Sequence, residues 1–326
     1  MIRKSMFFLF FTFLPLTVLG VNYSDEIKYG NISANLAKIT HDINILYQSG
    51  IPVKVPSFFG ISHEEIMSFL GHYKFSEQLK EYWEEFKKAQ KGHEDLTVAG
   101  KAALTNIRTL LEKALTLNIF SIVNNDARQT ELKGFIDEVA ADKSNRLMVR
   151  STGREDTKEM ANAGGNESVA NVGPNNTAIS EAIRRVLQSY FSEKSFQQRI
   201  AAGEKISSLF QDPFMPVLLQ IMVGKKDNTE TPVSGVAFSR EPFANTKNIT
   251  AINATFGHGE AVVDGIYPVD SFYITANNLI YPLLRFKHNR LKPKATDTGL
   301  EAARNTSRQK TTSSLSKEII LHIKNI

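Results

Sequence analysis

The sequence predicts a two-lobed α+β fold, and three observations predict it. Apolar residues recur at three- and four-residue steps from Ile32 to Leu117, the period of amphipathic helices. From Leu147 onward the texture changes to short, β-branched runs separated by Gly, Asn and Pro, the pattern of strands and turns. The chain has 326 residues, enough for one large domain or two lobes at roughly 100–200 residues per domain. With 42% hydrophobic and 22% charged residues, a chain disordered over most of its length is excluded.

Taken in order, Ile32 to Gly50 reads as a helix, with Leu36, Ile39, Ile43 and Leu46 on one stripe and Gly50 at its exit. "IPVKVPSFFGIS" follows as a proline-punctuated extended segment. Ser62 is a candidate cap for the next helix, with Glu64 and Glu65 in its first turn. In "EQLKEYWEEFKKAQ" Leu79, Tyr82 and Phe86 share one face, with charges opposite. A polar break at 92–97 precedes a further helix from Ala102 to Leu117. "RLMVRS" reads as a strand, Ala178 to Phe191 as a helix, and Met215 to Gly224 as a buried strand. "VSGVAFSRE", "ITAINATFG", "SFYITAN" and "LIYPLLRF" read as further strands. The expected composite is a helical first part, then a β-rich part with one or two helices.

The chain ends bound function in other ways. Arg3 and Lys4 precede the apolar run "MFFLFFTFLPLTVL", with Val18 and Gly20 at cleavage-compatible positions. That order fits a secretory signal over residues 1–20. The run is short for a bilayer span, which needs about 20 apolar residues, and Pro15 would disturb a spanning helix. The expectation is an exported or membrane-anchored protein, and a cytoplasmic one if this segment is not functional. Absence of cysteine excludes disulfides, thiolate metal sites and cysteine nucleophiles. Of the net charge of +5, residues 285–326 contribute ten Lys/Arg less three Asp/Glu, or +7. Such a tail could touch acidic lipid or nucleic acid, but aromatic residues scarcely interleave with its charges. The expectation is a solvated connector and no nucleic-acid partner.

The stretch "VRSTGREDTKEMANAGGNES" carries the most chemistry. Arg150 leaves the end of a strand, and arginine presents the donor fork preferred by phosphate oxygens. Gly164 and Gly165 allow backbone N–H groups to approach an anion closely. The bland alternative is a long surface turn. Further on, "FGHGEAVVDGIYPVD" offers a glycine turn followed by Glu260, Asp264 and Asp270. Two or three carboxylates beside phosphates suit Mg²⁺, and a polar hairpin is the plainer reading.

Together these blocks resemble the N-terminal ATP-binding domain of phosphoenolpyruvate synthase and pyruvate, phosphate dikinase. "GNISANL" is similar to that family's opening motif, and "GIPVKVPSFFGIS" to the extended segment after it. "VRSTGREDTKEMANAGGNES" resembles its "VRSSA-x-x-ED…FAGQ-x-E" loop. "PVLLQIMV" with "SGVAFSREP" resembles its paired strands, and "GHGEAVVDGIYPVDSFYI" its "GLGE-VV-G…TPD-Y-V" block. The resemblance runs over roughly residues 24–326 and implies an ATP-grasp-like, two-lobed nucleotide-binding domain with a helical N-terminal part. It implies ATP and Mg²⁺ as cofactors. By position, Arg150 and Arg240 would contact phosphates, and Gly164, Gly165 and Asn166 would cover them. Gln220, Met222 and Val223 would line the adenine edge, and Glu260 and Asp270 would be the metal-binding acids.

Three departures qualify what the resemblance implies. The family's opening motif carries a lysine that reaches the phosphates, and the matching position here is Ile32. Lys38 lies six residues on, too far along the helix to substitute. The family closes this domain with an acidic strand similar to "QDIEW", which residues 21–326 are expected to lack. Its phosphoryl-carrying histidine stands in a "GG-x-x-SH-x-A" setting, and none of the seven histidines here matches. The implied function is the ATP-binding part of a pyruvate, water dikinase-like enzyme. Its phosphocarrier and pyruvate-binding domains would lie on another polypeptide, and its transfer would be impaired. The alternatives are an exported pseudo-kinase that binds without catalysis and one half of a split dikinase.

Overall fold

A computed structural model describes residues 33, 36–40, 55–72, 74–93, 95–114, 121–123, 125–152, 166–201, 216–224, 231–241, 248–296 and 298–326. Its first layer is an antiparallel sheet of β1 (Phe58–Ile61), β2 (Leu147–Ser151), β3 (Ser168–Val172) and β4 (Val217–Ile221), in the order β1-β4-β2-β3. The expected extended segment thus becomes an edge strand of a sheet whose other strands begin at Leu147, far later in the chain. The helical part and the β-rich part are therefore joined. They share this sheet, because the two faces of β1 and β4 need partners that local sequence cannot provide.

Strand alternation sorts the faces of the sheet. Phe59, Ile61, Leu147, Val149, Val169, Val217 and Leu219 point into one core with the helices. Those helices are α1 (His63–His72), α2 (Phe75–Gln90), α3 (Val98–Ala114), α4 (Asp126–Ala140), α5 (Asn176–Ser189) and α6 (Glu193–Ala201). Leu79 and Phe86 of α2 are buried as expected, while Tyr82 is only half-buried. Ile107 and Leu111 of α3, Phe135 of α4 and Ile183 and Val186 of α5 complete the layer. Each such apolar side chain contributes about 1.5–3 kcal/mol on burial.

Helix starts follow local chemistry. Ser62 and Glu65 form a reciprocal cap at α1: Glu65 N–H donates to Ser62 Oγ at 3.1 Å, and Ser62 N–H to Glu65 Oε2 at 2.8 Å. Asn125 and Asn175 cap α4 and α5 with their side-chain oxygens. Residues 36–40 are helical, but the buried stripe is Ser33, Ala37 and Thr40, while Ile39 is 45% exposed. The most buried positions of this helix are thus smaller residues than the expected Leu36–Ile39 stripe.

The second layer is the meander β5 (Val233–Phe238), β6 (Ile249–Phe256), β7 (Asp270–Thr275) and β8 (Ile280–Leu283). Ile252, Ala254, Phe272 and Ile274 bury one face beneath Ile320 of the last helix. The short helix α7 (Glu260–Val263) lies between β6 and β7.

The basic tail is a folded part, contrary to the expected solvated connector. It contains the hairpin β9 (Asn289–Pro293) and β10 (Leu300–Arg304), then α8 (Ser307–Thr311) and α9 (Lys317–Asn325). The hairpin docks on the first sheet: Asn171 Nδ2 donates to Lys294 O and Thr296 O, and Gly299 N–H donates to Ala170 O at 2.7 Å. Its charges stay at the surface, apart from Lys287, whose ammonium is buried against Asp270. Composition alone concealed this, because lysine and arginine cover apolar surface with their stems.

Candidate functional site

Arg150 and Gln220 lie on the face of the first sheet that the helices leave uncovered. Arg150 pairs with Leu218, and Met148 pairs with Gln220, on adjacent strands. Directly opposed residues share a face, so Arg150 and Gln220 are diagonal neighbours. Both are half-buried. Beyond Gln220, Met222 is 6% exposed and Val223 67% exposed, as successive residues leaving a strand point to opposite sides.

The loop after β2 is anchored at both described ends. Thr152 is fully buried and accepts hydrogen bonds from Ser33 N–H at 2.9 Å and Ser33 Oγ at 3.3 Å. Ser33, which belongs to the opening motif, therefore sits at the exit of β2, two residues past Arg150. At the other end, Ser195 Oγ donates to Asn166 Oδ1 at 2.8 Å, and Glu167 N–H to Ser189 Oγ at 2.8 Å. Gly164, Gly165 and Ile32 lie outside the described residues. Sequence reasoning missed Ser33 and Thr152, and no local signal marks them, since their partnership spans 119 residues.

The "GHGE" turn approaches the exit of β4. Gly224 has φ +94, and a methyl group added there would lie 3.0 Å from His258 Cε1. Gly257 has φ +96, and its added Cβ would lie 2.5 Å from Leu291 O, so glycine is required by both conformation and space. Glu260 opens α7 and is exposed. Desolvation, and then the charge of Asp264, raise the pKa of its carboxyl from the ordinary value. Arg240 follows β5 and is exposed.

Asp270 departs from its expected role. It is fully buried, and Oδ1 accepts from Lys287 Nζ at 2.7 Å and Arg285 N–H at 2.9 Å. Its Oδ2 accepts from Ser314 N–H at 2.8 Å. A metal ion at Asp270 would have to displace an ammonium group and two backbone donors, so the carboxylate fits a structural lock and not a metal ligand. Among the described residues no group of three or more His, Asp or Glu is placed to hold a metal ion. A cavity of about 620 Å³ opens over α3, α5 and α6, lined by Arg108, Asn166, Arg185, Gln188 and Lys194 among others. Neither Arg150 nor Gln220 lines it.

Three contacts therefore join four separate motifs: Ser33 to Thr152, Arg150 beside Gln220, and Gly224 against His258. A family model of the pyruvate phosphate dikinase AMP/ATP-binding domain matches residues 29–326. The chain belongs to that family.

Within the pyruvate phosphate dikinase AMP/ATP-binding family, this chain is similar to several curated proteins. It is 24% identical over 262 residues to phosphoenolpyruvate synthase of Escherichia coli strain K12, covering 78% of this chain and 29% of that protein. It is 26% identical over 149 residues to rifampicin phosphotransferase of Bacillus subtilis strain 168, covering 46% of this chain and 16% of that protein. An uncharacterized phosphotransferase of Bacillus subtilis strain 168, YvkC, is 25% identical over 128 residues, covering 39% of this chain and 14% of that protein. The match spans less than a third of each of these relatives. The antiparallel sheets and packed helices are consistent with the ATP-grasp-like, α+β nucleotide-binding domain that the resemblance implied.

Proposed function

We propose that this chain is the ATP-binding part of a dikinase-type phosphotransferase, holding Mg²⁺-ATP for phosphoryl transfer to a histidine on another domain or polypeptide. The observation that carries the reading is the convergence of motifs through Ser33–Thr152, Arg150–Gln220 and Gly224–His258. Nothing local in the sequence requires these segments to meet.

In this reading Arg150, at the end of β2, neutralises phosphate oxygens, and exposed Arg240 provides a second cation. Asn166 anchors the covering loop to α6, with Gly164 and Gly165 supplying its backbone donors. Gln220, Met222 and Val223 form the edge that receives the base. Glu260, with Asp264 nearby, is the acid available for Mg²⁺, which binds through one or two carboxylates and takes its other oxygens from phosphate and water. When bound, the ion supplies charge neutralisation, the chief requirement of phosphoryl transfer along with positioning. Asp270 acts one step removed, by fixing β7 to the tail.

Ile32 supports a reading of impaired transfer, because it offers neither charge nor donor where the family carries a phosphate-binding lysine. A pseudo-kinase that binds nucleotide without turnover is the second reading, and Ile32 favours it. The order of basic, apolar and small residues over 3–20 supports export or anchoring. These residues lie outside the described ones, and no described helix is long and apolar enough to cross a membrane.

The deciding experiment has two stages. Calorimetric titration with ATP, with and without Mg²⁺, tests the site, and absence of binding in both would overturn the reading. Adding a family phosphocarrier domain and labelled ATP then tests transfer. Phosphohistidine should form with Ile32→Lys and remain scarce with the unaltered chain. Robust formation by the unaltered chain would refute impairment.

A further inference from the structure

The cavity of about 620 Å³ over α3, α5 and α6 is a second concave surface, apart from the face that carries Arg150 and Gln220. Its size falls within the roughly 300–1,000 Å³ of small-molecule sites. Its lining departs from their usual apolar pattern. Among the described residues that line it, each is polar or charged, and none offers an aromatic ring for a base to stack on. An apolar ligand would gain nothing there by leaving water.

The charges in the cavity do not cancel. Glu112 is paired with Arg184 at 3.2 Å, and Glu167 with Arg185. Arg108 and Lys194 have no carboxylate partner among the described residues. Arg108 is half-buried and makes one bond with its guanidinium, from Nη2 to Thr105 Oγ1 at 3.1 Å. Its other donors are uncommitted within the described residues. A partly desolvated cation without a counter-charge favours an anion beside it. Phosphate suits this pair, because the arginine fork matches its oxygens and lysine adds a mobile point charge.

The uncharged groups of the wall are set to accept hydrogen bonds. Thr109 Oγ1 donates to Thr105 O at 3.0 Å, so its proton is taken by its own helix and its lone pairs remain. Thr105 Oγ1 and Ser189 Oγ donate in the same way to Lys101 O at 2.9 Å and Val186 O at 2.7 Å. Gln188 gives its amide nitrogen to Arg108 O at 2.9 Å and keeps Oε1 as an acceptor. Hydroxyl groups of a ligand are the donors that such acceptors fit.

We infer that this cavity binds a phosphorylated sugar or polyol, its phosphate held by Arg108 and Lys194 and its hydroxyl groups by Thr109 and Gln188. The inference goes beyond the ATP-binding reading and does not depend on it.

Calorimetry on the unaltered chain tests it, with glucose 6-phosphate and glycerol 3-phosphate as probes and inorganic phosphate and glucose as separate arms. At least one phosphorylated probe should bind about tenfold or more tightly than inorganic phosphate or glucose. Inorganic phosphate binding as tightly as both probes would mean an adventitious ion only, and that result, or no binding of either probe, overturns the inference. Arg108→Gln should weaken the probe about tenfold, the factor one charge-assisted hydrogen bond supplies. Lys133→Gln removes the same charge from an exposed position on α4 outside the cavity and should leave the affinity unchanged. Equal losses in these two variants would reduce the effect to net charge and overturn the inference. Loss of probe binding in Arg150→Ala with none in Arg108→Gln would place the phosphate at the end of β2 and overturn it too. A readout independent of variant folding is the Nε–H resonance of Arg108 in the unaltered chain. It should shift on adding the probe, and a resonance that does not move at saturation overturns the inference.

Discussion

Ser33 donates its backbone N–H to the hydroxyl oxygen of Thr152 at 2.9 Å, and both residues are fully buried. This bond fixes Ser33 to the residue that follows the strand carrying Arg150. The Thr152 hydroxyl is both a hydrogen-bond acceptor and a spacer.

Thr152→Val should therefore destabilise the protein by about 1–3 kcal/mol, the cost of stranding a buried donor. Thr152→Ser, which keeps the hydroxyl, should recover most of the loss. Denaturant midpoints at constant m-value provide the measurement, and equal midpoints for Val and Thr would show that the bond carries no weight.

Arg150→Ala should weaken ATP binding by about 1.5–3 kcal/mol, the range for hydrogen bonds to a charged group. Lys38→Ala is the control, because Lys38 is exposed on the early helix and should leave affinity unchanged. Calorimetry on the three proteins decides, and equal affinities for Arg150→Ala and the unaltered chain would remove Arg150 from the site.

The Asp270–Lys287 pair has both side chains fully buried. Removing one partner strands the other, so Asp270→Asn and Lys287→Met should each cost about 3–5 kcal/mol. The double variant should cost less than the sum. Mg²⁺ dependence of ATP binding should persist in any variant that remains folded. Its loss in a stable Asp270→Asn protein would return Asp270 to the metal site.

Desolvation, and then the Asp264 charge, raise the pKa of the Glu260 carboxyl from its ordinary value. Only its ionised form can ligate Mg²⁺. The Mg²⁺ enhancement of ATP binding should thus appear, as pH rises, through a window shifted upward. Asp264→Asn removes the repelling charge and should move that window to lower pH. Titrations with and without Mg²⁺ between about pH 4 and 7 test the sign, and an upward movement in Asp264→Asn would contradict it.

The candidate site residues were named from the sequence because glycine, arginine and acid placements are read one residue at a time. Arg150 and Gln220 fall where the sequence put them, at a strand end and on a strand, while Glu260 opens a short helix that the sequence did not announce. Asp270 shows the limit of the same logic. A carboxylate in a polar block looks like a ligand until Lys287, seventeen residues later, is found against it.

The sequence by itself determined the elements whose signals are local: the Ser62 cap, the Leu79–Phe86 stripe and the alternating strands from Val233 onward. These depend on contacts within a few residues, which periodicity reports directly. Tertiary structure alone decided that β1 joins β4, that Ser33 meets Thr152, that His258 lies against Gly224, and that the basic tail folds. Each of these is a contact between segments far apart in the chain. Its free energy comes from excluding water between two surfaces, and neither surface carries the identity of the other.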